Sequence, residues 1–242
     1  KLVERAVEEN ETCVISIFIN PTQFGENEDF DQYPRTLECD VDLIQKHLPE
    51  AKEIIIFAPD SENEIYPQPR TLIKAPGPGH LLEGSLRPGH FDGMATVVKL
   101  LFELIKPARA YFGKKDYQQL IIVKHLIRDL NLAIELVGVD IVRDDHGLAL
   151  SSRNGYLSTE QYKRALVLPK TLQEIQAAWK EKKDIKQVKE YIEELKSKDK
   201  NFNYLALVDK KSLNEPSGDV DLILLGNYDL DGVKLIDNLE LE

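Results

Sequence analysis

The first 145 residues alternate between short apolar runs and helical patterns, and this alternation constrains the fold more than any other feature of the sequence. Apolar runs typical of strands occupy residues 12–20, 53–58, 108–112 and 134–142, and helical patterns lie between them at residues 36–48, 91–105 and 116–130. The run from Val14 to Ile19 is almost continuously apolar, as expected for a strand covered on both faces. The pattern predicts an α/β domain with a Rossmann-like, mostly parallel sheet.

The character of the sequence changes near residue 153. Two amphipathic, highly charged helical patterns span residues 158–180 and 184–196, and three strand-like runs follow at residues 202–208, 220–225 and 233–239. Helices followed by successive strands predict a small α+β domain. We therefore predict an α/β domain over residues 1–145 and a small C-terminal α+β domain over residues 146–242.

The chain opens on a helical pattern at residues 1–10, and the first strand follows directly. Doubly wound nucleotide-binding folds normally begin with a strand and a ligand-binding loop before their first helix. We therefore expect that this first strand and loop are missing from the chain.

Composition excludes several classes of function. A net charge of −11 argues against a nucleic-acid partner, because such binding depends on neutralising phosphates. The apolar runs are too short to span a membrane, and the charged residues 1–10 are unlike a signal peptide. Cys13 and Cys39 lack metal-ligand spacing, and the five histidines show no i,i+4 pairing. We expect a cytoplasmic protein without a protein-built metal site, in which Cys13 is a small core residue.

The most informative motif is F-G-K-K-D-Y-Q-Q at residues 112–119. An apolar strand ends there at Gly113 and leads into a helix that begins at Asp116. A helix N-terminus offers N–H groups and the positive end of the helix dipole to an anion, and Lys115 adds a positive charge. The motif predicts binding of a phosphate-bearing ligand, with Gln119 on the same helical face as Asp116.

Three further motifs carry polar side chains. Pro21 must end the first strand, and Gln23 follows with an amide that suits hydroxyl and carboxylate groups. A glycine-rich loop at residues 82–93 carries Arg87 and His90, and arginine suits bidentate contact with phosphate or carboxylate. The run Ser151-Ser152-Arg153 offers three donors to phosphate oxygens. Because ligands of open α/β sheets lie at the carboxyl ends of strands, we expect these motifs to converge on one cleft.

In this order the motifs resemble the pantothenate synthetase (pantoate–β-alanine ligase) family of the nucleotidylyltransferase superfamily. The matching stretches are S-I-F-I-N-P-T-Q-F (16–24), Y-P-R-T (33–36), residues 82–93, Y-F-G-K-K-D-Y-Q-Q (111–119), residues 138–143, L-A-L-S-S-R-N-G-Y-L (148–157) and L-I-D-N (235–238). The resemblance implies an AMP-forming ligase that makes a carbon–nitrogen bond. Pantoate and ATP would give pantoyl adenylate and pyrophosphate, and β-alanine would then displace AMP to give pantothenate. ATP and pantoate would bind to the first domain, and the C-terminal domain would act as a lid.

The resemblance also implies roles for individual residues. Pantoate would be held by Gln23 and Gln119 in a pocket shaped by Phe18 and Asn20, and Gln23 would also contact β-alanine. ATP would contact Gly113, Lys114, Lys115, Asp116, Val142, Leu150, Ser151, Ser152 and Arg153. Of these, Lys115, Ser151, Ser152 and Arg153 are the predicted catalytic residues, and Val142 would meet adenine through its backbone. Arg87 and His90 are further candidates. Mg²⁺ would accompany ATP, and the enzyme would be a homodimer, with residues 94–105 or the strand near Cys13 in the contact.

Two departures from the family pattern matter. The family's T-M-G-x-L-H-x-G-H segment, whose histidines bind ATP, has no counterpart here, so we expect the 242 residues alone to be poorly active. Lys114 stands where relatives carry an acidic or neutral residue. Two alternatives stay open at this point: a nucleotidylyltransferase with another small acceptor, and a non-catalytic nucleotide-binding fragment. The pair Gln23 and Gln119 favours a small polyol acid, since a phosphorylated acceptor calls for more basic residues.

Overall fold

The computed structural model describes residues 1–26, 28–48, 52–218 and 220–241. The chain forms two compact units. The first comprises Lys1–Gly113 and Gln119–Val139, and the second comprises Lys114–Gln118 and Asp140–Glu242. The short segment Lys114–Gln118 therefore packs with the C-terminal part of the chain, although it lies within the predicted first domain.

The first unit contains the predicted alternation of strands and helices. Its elements are α1 (Leu2–Glu9), β1 (Thr12–Ser16), α2 (Leu37–His47), β2 (Glu53–Phe57), α3 (Leu82–Leu86), α4 (His90–Ile105), β3 (Arg109–Gly113), α5 (Tyr117–Asp129) and β4 (Glu135–Val139). The first two residues of α5 belong to the second unit. The strands β1 and β2 pair in parallel, with Cys13 opposite Ile54, and β3 and β4 pair in parallel, with Ala110 opposite Leu136. The predicted α/β class with parallel strands is confirmed.

Two apolar clusters hold the first unit together. The larger packs α4 and α5 against β3, with Phe91, Met94 and Ile122 almost fully buried. The smaller packs Ala6 and Val7 of α1 against Cys13, which confirms Cys13 as a core residue. A cavity of about 380 Å³ lies between β1 and β3 and is also lined by α1 and α4, but none of the predicted site residues lines it.

Two sequence expectations in the first unit were wrong in detail. The first strand ends at Ser16 rather than near residue 20, because its partner β2 ends at Phe57 and Pro59 cannot extend the ladder. The loop at residues 82–93 is interrupted by α3. Gly84 in α3 lies so close to the carbonyl of Gly79 that an added Cβ would be 2.0 Å from that oxygen, so this glycine permits close packing rather than flexibility.

The second unit is the predicted α+β arrangement. Its further elements are α6 (Thr159–Ala165), α7 (Val167–Lys182), α8 (Ile185–Lys198), β5 (Phe202–Asp209), β6 (Leu222–Leu230) and β7 (Val233–Leu241). The three strands form an antiparallel sheet in the order β5-β6-β7, and α7 and α8 pack against it over an apolar core that includes Leu172, Ile175 and Leu224.

The helical pattern at residues 158–180 was predicted as one helix, but the structure has two, α6 and α7, which meet at Leu166. Pro169 explains the break. A proline is tolerated only in the first turn of a helix, because its ring clashes with the carbonyl four residues earlier, here that of Ala165. In the part of the chain that the structure describes, no helix is long and apolar enough to cross a membrane.

Candidate active site

The turn after β1 places Gln23 in the first unit. Pro21–Gln23 form one turn of 3₁₀ helix, and the side chain of Asn20 caps it by accepting a hydrogen bond from the N–H of Thr22 at 3.3 Å. Proline suits the first position of such a turn because its φ angle is already helical. The predicted turn at Pro21 is confirmed. Phe18, just before it, packs against the larger apolar cluster of the unit.

Asn20 is the centre of a buried hydrogen-bond network. Its Oδ1 accepts from the hydroxyls of Tyr66 and Thr22 at 2.7 and 2.9 Å, and Tyr66 and Asn20 are only 1% and 3% exposed. Burial raises the pKa of the Tyr66 phenol, and this effect outweighs the hydrogen bonds to Thr22 and Asn20, which lower that pKa. Because its pKa is raised, the phenol stays protonated and can donate. The network fixes the Asn20 amide with its Nδ2 facing away from Tyr66.

The Asn20 amide in turn orients Gln23. Its Nδ2 donates to Gln23 Oε1 and to the carbonyl of Gly93 on α4, both at 3.2 Å. Because the Gln23 oxygen faces Asn20, the Nε2 donor of Gln23 lies on the opposite side of its amide. A donor in that position suits an acceptor such as a carboxylate or hydroxyl oxygen.

Close contact between the turn and α4 depends on Gly93. A Cβ on this residue would lie 2.3 Å from the carbonyl oxygen of Thr22. No side chain fits at that distance, so the glycine sets how near α4 comes to the Gln23 turn.

Arg87 and His90 also support the Gln23 turn. Arg87 makes a bidentate contact with Glu28, at 2.6 Å from Nε to Oε1 and 2.5 Å from Nη2 to Oε2. His90 Nδ1 lies 2.7 Å from the carbonyl oxygen of Gln23, and its Nε2 lies 3.2 Å from Arg87 Nη1. Since the carbonyl only accepts and Arg87 only donates, His90 is the neutral tautomer with its proton on Nδ1.

The Arg87–Glu28 pair is largely shielded from water. Burial alone would raise the pKa of the Glu28 carboxyl, but the hydrogen bonds and positive charge of Arg87 outweigh this effect and hold that pKa below its usual value. The carboxylate that Arg87 binds is thus one of the protein's own. A contact of Arg87 or His90 with substrate stays a prediction.

In the second unit, the segment Lys114-Lys115-Asp116 forms the turn that leads into α5 at Tyr117. The predicted strand, turn and helix are all present, although α5 begins one residue later than expected. Lys114 Nζ donates to Asp140 Oδ1 at 2.6 Å on the surface. The carbonyls of Lys114 and Lys115 accept hydrogen bonds from Asn238 at 2.8 and 2.9 Å. Gly113 and Gln119, on either side, belong to the first unit.

A short hairpin carries Val142 and Leu150. The N–H of Leu150 donates to the carbonyl of Val142 at 2.9 Å, and Arg143 lies opposite Ala149 in the same ladder. Gly147 closes the hairpin with a φ of 91°, a backbone conformation that favours glycine. Both Val142 and Leu150 are exposed.

Ser151, Ser152 and Arg153 follow the hairpin directly. Ser151 Oγ accepts from the N–H of Arg153 at 3.3 Å and so caps the 3₁₀ turn Ser152–Tyr156. The loop is attached to the core of the second unit at Leu148 and Leu157, which lie before and after it. Ser152 lies at the surface between these two anchors.

The structure thus joins the predicted residues within each unit. In the first unit one hydrogen-bond network links Asn20, Gln23, Arg87 and His90. In the second, Asn238 and its neighbour Asp237 link the Lys114-Lys115 turn to the hairpin through Arg143. The predicted convergence of all these residues on one cleft stays a prediction. In the described ranges, which omit residues 27, 49–51, 219 and 242, no three His, Cys, Asp or Glu side chains cluster as metal ligands.

Comparison with known proteins decides the family. Residues 1–240 match the family model described as Pantoate-beta-alanine ligase. The chain belongs to the pantoate–β-alanine ligase family. The pantothenate synthetase of Helicobacter pylori (strain ATCC 700392 / 26695) is 50% identical over 181 residues, which cover 73% of this chain and 64% of that protein. The chain therefore matches just under two thirds of the length of this curated relative.

Solved structures of the ligase family show the same fold. The pantothenate synthetase of Thermus thermophilus has a TM-score of 0.90 at 43% identity, over 99% of this chain and 87% of that one. The pantoate–β-alanine ligase of Francisella tularensis, solved as a complex with β,γ-ATP and β-alanine, has a TM-score of 0.76 at 28% identity, over 99% of this chain and 83% of that one.

Sequence reasoning missed four residues that position the candidate site: Glu28, Tyr66, Asp237 and Asn238. The sequence does indicate a role for Asp237 and Asn238, because adjacent polar residues in the apolar run L-I-D-N-L must find hydrogen-bond partners if the strand is buried. Neither Glu28 nor Tyr66 carries such a signal, since their partners lie 59 and 46 residues away in the chain.

Proposed function

We propose that this protein joins pantoate to β-alanine at the expense of ATP, with pantoyl adenylate as the intermediate and AMP and pyrophosphate as by-products. The match of residues 1–240 to the family is the observation that carries the proposal. The Francisella relative solved with β,γ-ATP and β-alanine supports two of the three substrates.

The chemistry requires no protein nucleophile. A pantoate carboxylate oxygen attacks the α-phosphorus of ATP, and the bond from that phosphorus to the bridging oxygen breaks as pyrophosphate leaves. The neutral amine of β-alanine then attacks the activated carbonyl carbon, AMP leaves with the carboxylate oxygen, and the nitrogen loses a proton. Such steps depend on positioning the reactants and on stabilising the charge that develops on phosphate oxygens.

The residues of the first unit would bind the acid. Gln23, whose oxygen is held by Asn20, would present its Nε2 to pantoate and later to β-alanine, and Gln119 would hold pantoate as a second amide. Phe18 and Asn20 would shape this pocket. Their fixed positions would lower the entropic cost of orienting the carboxylate.

The ATP contacts would come from both sides of the Lys114-Lys115 turn. Gly113, Lys114 and Asp116 would line the nucleotide, Lys115 would contact phosphate oxygens, and the backbone of Val142 would meet adenine. Leu150 and the Ser151, Ser152 and Arg153 donors would close over the phosphates. Mg²⁺ would be bound mainly by the ATP phosphates, because enzymes of this kind usually hold it through substrate phosphates and few protein ligands. We also propose a cytoplasmic homodimer.

The substrate dependence of AMP release tests the proposal. The protein expressed from its complete open reading frame should release AMP only when both pantoate and β-alanine are present. Exchange of labelled pyrophosphate into ATP should need pantoate alone, because it requires only the first step. AMP release that is indifferent to β-alanine would overturn the proposal.

A further inference from the structure

Asn238 on β7 makes an unusual contact with the turn before α5. Its Nδ2 donates to the carbonyls of two successive residues, Lys114 at 2.8 Å and Lys115 at 2.9 Å. A side-chain amide has two N–H groups, so both of its donors are used on this turn. Asn238 is only 4% exposed, and the contact spans more than 120 residues of chain.

The neighbouring Asp237 ties the same strand to the hairpin. Arg143 donates to both carboxylate oxygens of Asp237, at 2.6 and 2.8 Å, and also to the carbonyl of Gly147 at 3.0 Å. The N–H of Asn238 donates to Asp237 Oδ1 at 2.7 Å. Asn238 is therefore held at its backbone by a residue that is itself fixed, which makes it a rigid support.

The direction of the two carbonyls determines the direction of two N–H groups. In a trans peptide unit the C=O and the N–H point in opposite directions. The unit that contains the Lys114 carbonyl also contains the N–H of Lys115, and the unit that contains the Lys115 carbonyl also contains the N–H of Asp116. Because both carbonyls face Asn238, both N–H groups are directed away from it. Successive N–H groups in one orientation are the arrangement that proteins use to bind phosphate.

A second contact holds the same segment. The hydroxyl of Tyr117 donates to the carbonyl of Lys210 at 3.3 Å, and Lys210 Nζ pairs with Glu240 of β7 at 2.5 Å. The last strand thus supports this turn through Asn238 directly and through Lys210 indirectly.

We propose that Asn238 is a positioning residue for ATP: through its side-chain amide, the last strand fixes the main chain of Lys114 and Lys115 in the orientation that receives phosphate. The inference rests on the proposed function, because it assumes that this turn binds ATP. Asn238 contacts the turn and does not need to contact the nucleotide.

Replacing the amide by a carboxylate of the same shape tests this role. Asn238→Asp removes both donors and places an oxygen against two carbonyl oxygens. Asn203→Asp is the matched control, because Asn203 lies on β5 of the same sheet, is exposed, and donates to Asn227 Oδ1 at 2.8 Å. Should Asn238→Asp fail to fold, Asn238→Ala removes the donors without adding a charge.

Three readouts are compared in both variants: hydrogen exchange of a peptide covering residues 112–119, ATP affinity and pantoate affinity. In Asn238→Asp we expect hydrogen exchange of this peptide to be about tenfold faster and ATP affinity to be about tenfold weaker. Each lost hydrogen bond shifts the equilibrium from the ordered to the open turn by a factor of several. Pantoate affinity should fall less than ATP affinity, because Gln23 lies on other elements and Gln119 lies within α5 and belongs to the first unit. The control should match the wild type in all three.

A double variant tests whether Asn238 acts through the main chain of the turn. Lys115→Ala removes only the side-chain charge and leaves the carbonyls that Asn238 contacts, so adding Asn238→Asp to it should still weaken ATP binding several-fold further. Equal losses of ATP and pantoate affinity in Asn238→Asp, or unchanged exchange over residues 112–119, would overturn the inference. A wild-type protein that binds no ATP would contradict the proposed function itself, and the exchange data would still report the contact.

Discussion

The Gln23 turn and the Lys114-Lys115 turn are held in different ways. The side-chain amide of Gln23 is held by Asn20, whose own amide is fixed by the hydroxyl of Tyr66 and the carbonyl of Gly93. The main chain of the Lys114-Lys115 turn is held by the amide of Asn238 on the last strand of the second unit. The first arrangement orients a side chain, and the second orients a backbone.

The difference corresponds to the ligand chemistry that we propose for each turn. A small polyol acid presents a few hydroxyl and carboxylate oxygens, and a fixed amide can discriminate among such groups. A polyphosphate presents many equivalent oxygens, which backbone N–H groups and a mobile lysine suit better. Substitutions near Gln23 should therefore alter pantoate binding, whereas substitutions near Asn238 should alter ATP binding.

Gly93→Ala should have the largest effect on the Gln23 turn. The new Cβ would lie 2.3 Å from the carbonyl oxygen of Thr22, so α4 and the turn must separate. We expect a loss of about 3 kcal/mol or more in the free energy of unfolding, measured by urea denaturation, and no detectable pantoate binding. Gly25→Ala is the control, because the nearest atom to its Cβ would be in the Glu28 side chain, at an ordinary contact distance of 3.7 Å. A Gly93→Ala protein as stable as this control would show that the turn does not depend on close packing.

Tyr66→Phe removes one hydroxyl from the buried network around Asn20. The loss leaves Asn20 Oδ1 with one donor fewer in a site that water does not reach, and we expect a decrease of about 1–2 kcal/mol in stability. Because Asn20 then holds Gln23 less firmly, the KM for pantoate should rise several-fold while the KM for ATP stays unchanged. Tyr191→Phe, on α8, serves as the control. A rise in both KM values would contradict the separation of the two turns.

Glu28→Gln tests the charge that supports Arg87. The pKa of Glu28 is lowered in the folded state, so the carboxylate adds stability above its unfolded pKa of about 4.5, and this stability is lost as the pH falls through the folded pKa. The wild type should lose stability on acidification below about pH 5, and Glu28→Gln should lose less over the same range. Melting temperatures measured from pH 7 to 3 give the comparison, with Glu38→Gln as a surface control. Identical profiles for all three proteins would refute the contribution of the pair.

Asp140→Asn should have the smallest effect. It removes the partner of the Lys114 side chain, but Asp140 is 87% exposed, and exposed ion pairs contribute about 0–1 kcal/mol. We expect a stability change below about 1 kcal/mol and a change in ATP affinity below about threefold. A larger loss of ATP affinity than in Asn238→Asp would show that the Lys114 side chain matters more than the main chain of the turn.

Most of the fold was predictable because it depends on local patterns. The continuous apolar character of residues 14–19 and the helical periodicity after Gly113 both indicated the elements that the structure contains. The errors have two causes: a pairing partner that is distant in the sequence, and a local proline. The first strand stops at Ser16 because β2 offers no further partner, and Pro169 divides a continuous helical pattern into α6 and α7.

The candidate site was predictable as a set of motifs but not as a set of contacts. Gln23 and Lys115 stand in recognisable local patterns, whereas Tyr66 and Glu28 act through partners far away in the sequence. Arg87 illustrates the limit. Its residue type predicted a bidentate contact with an anion, and the anion in the structure is Glu28 of the same chain.

Transfer of oxygen-18 from pantoate to AMP tests the proposed reaction. Pantoate labelled in its carboxylate is incubated with ATP, β-alanine and the protein expressed from its complete open reading frame, and the AMP is examined by mass spectrometry. If the carboxylate attacks the α-phosphorus, each AMP that accompanies a pantothenate should carry one labelled oxygen. Unlabelled AMP, or label in inorganic phosphate, would contradict it.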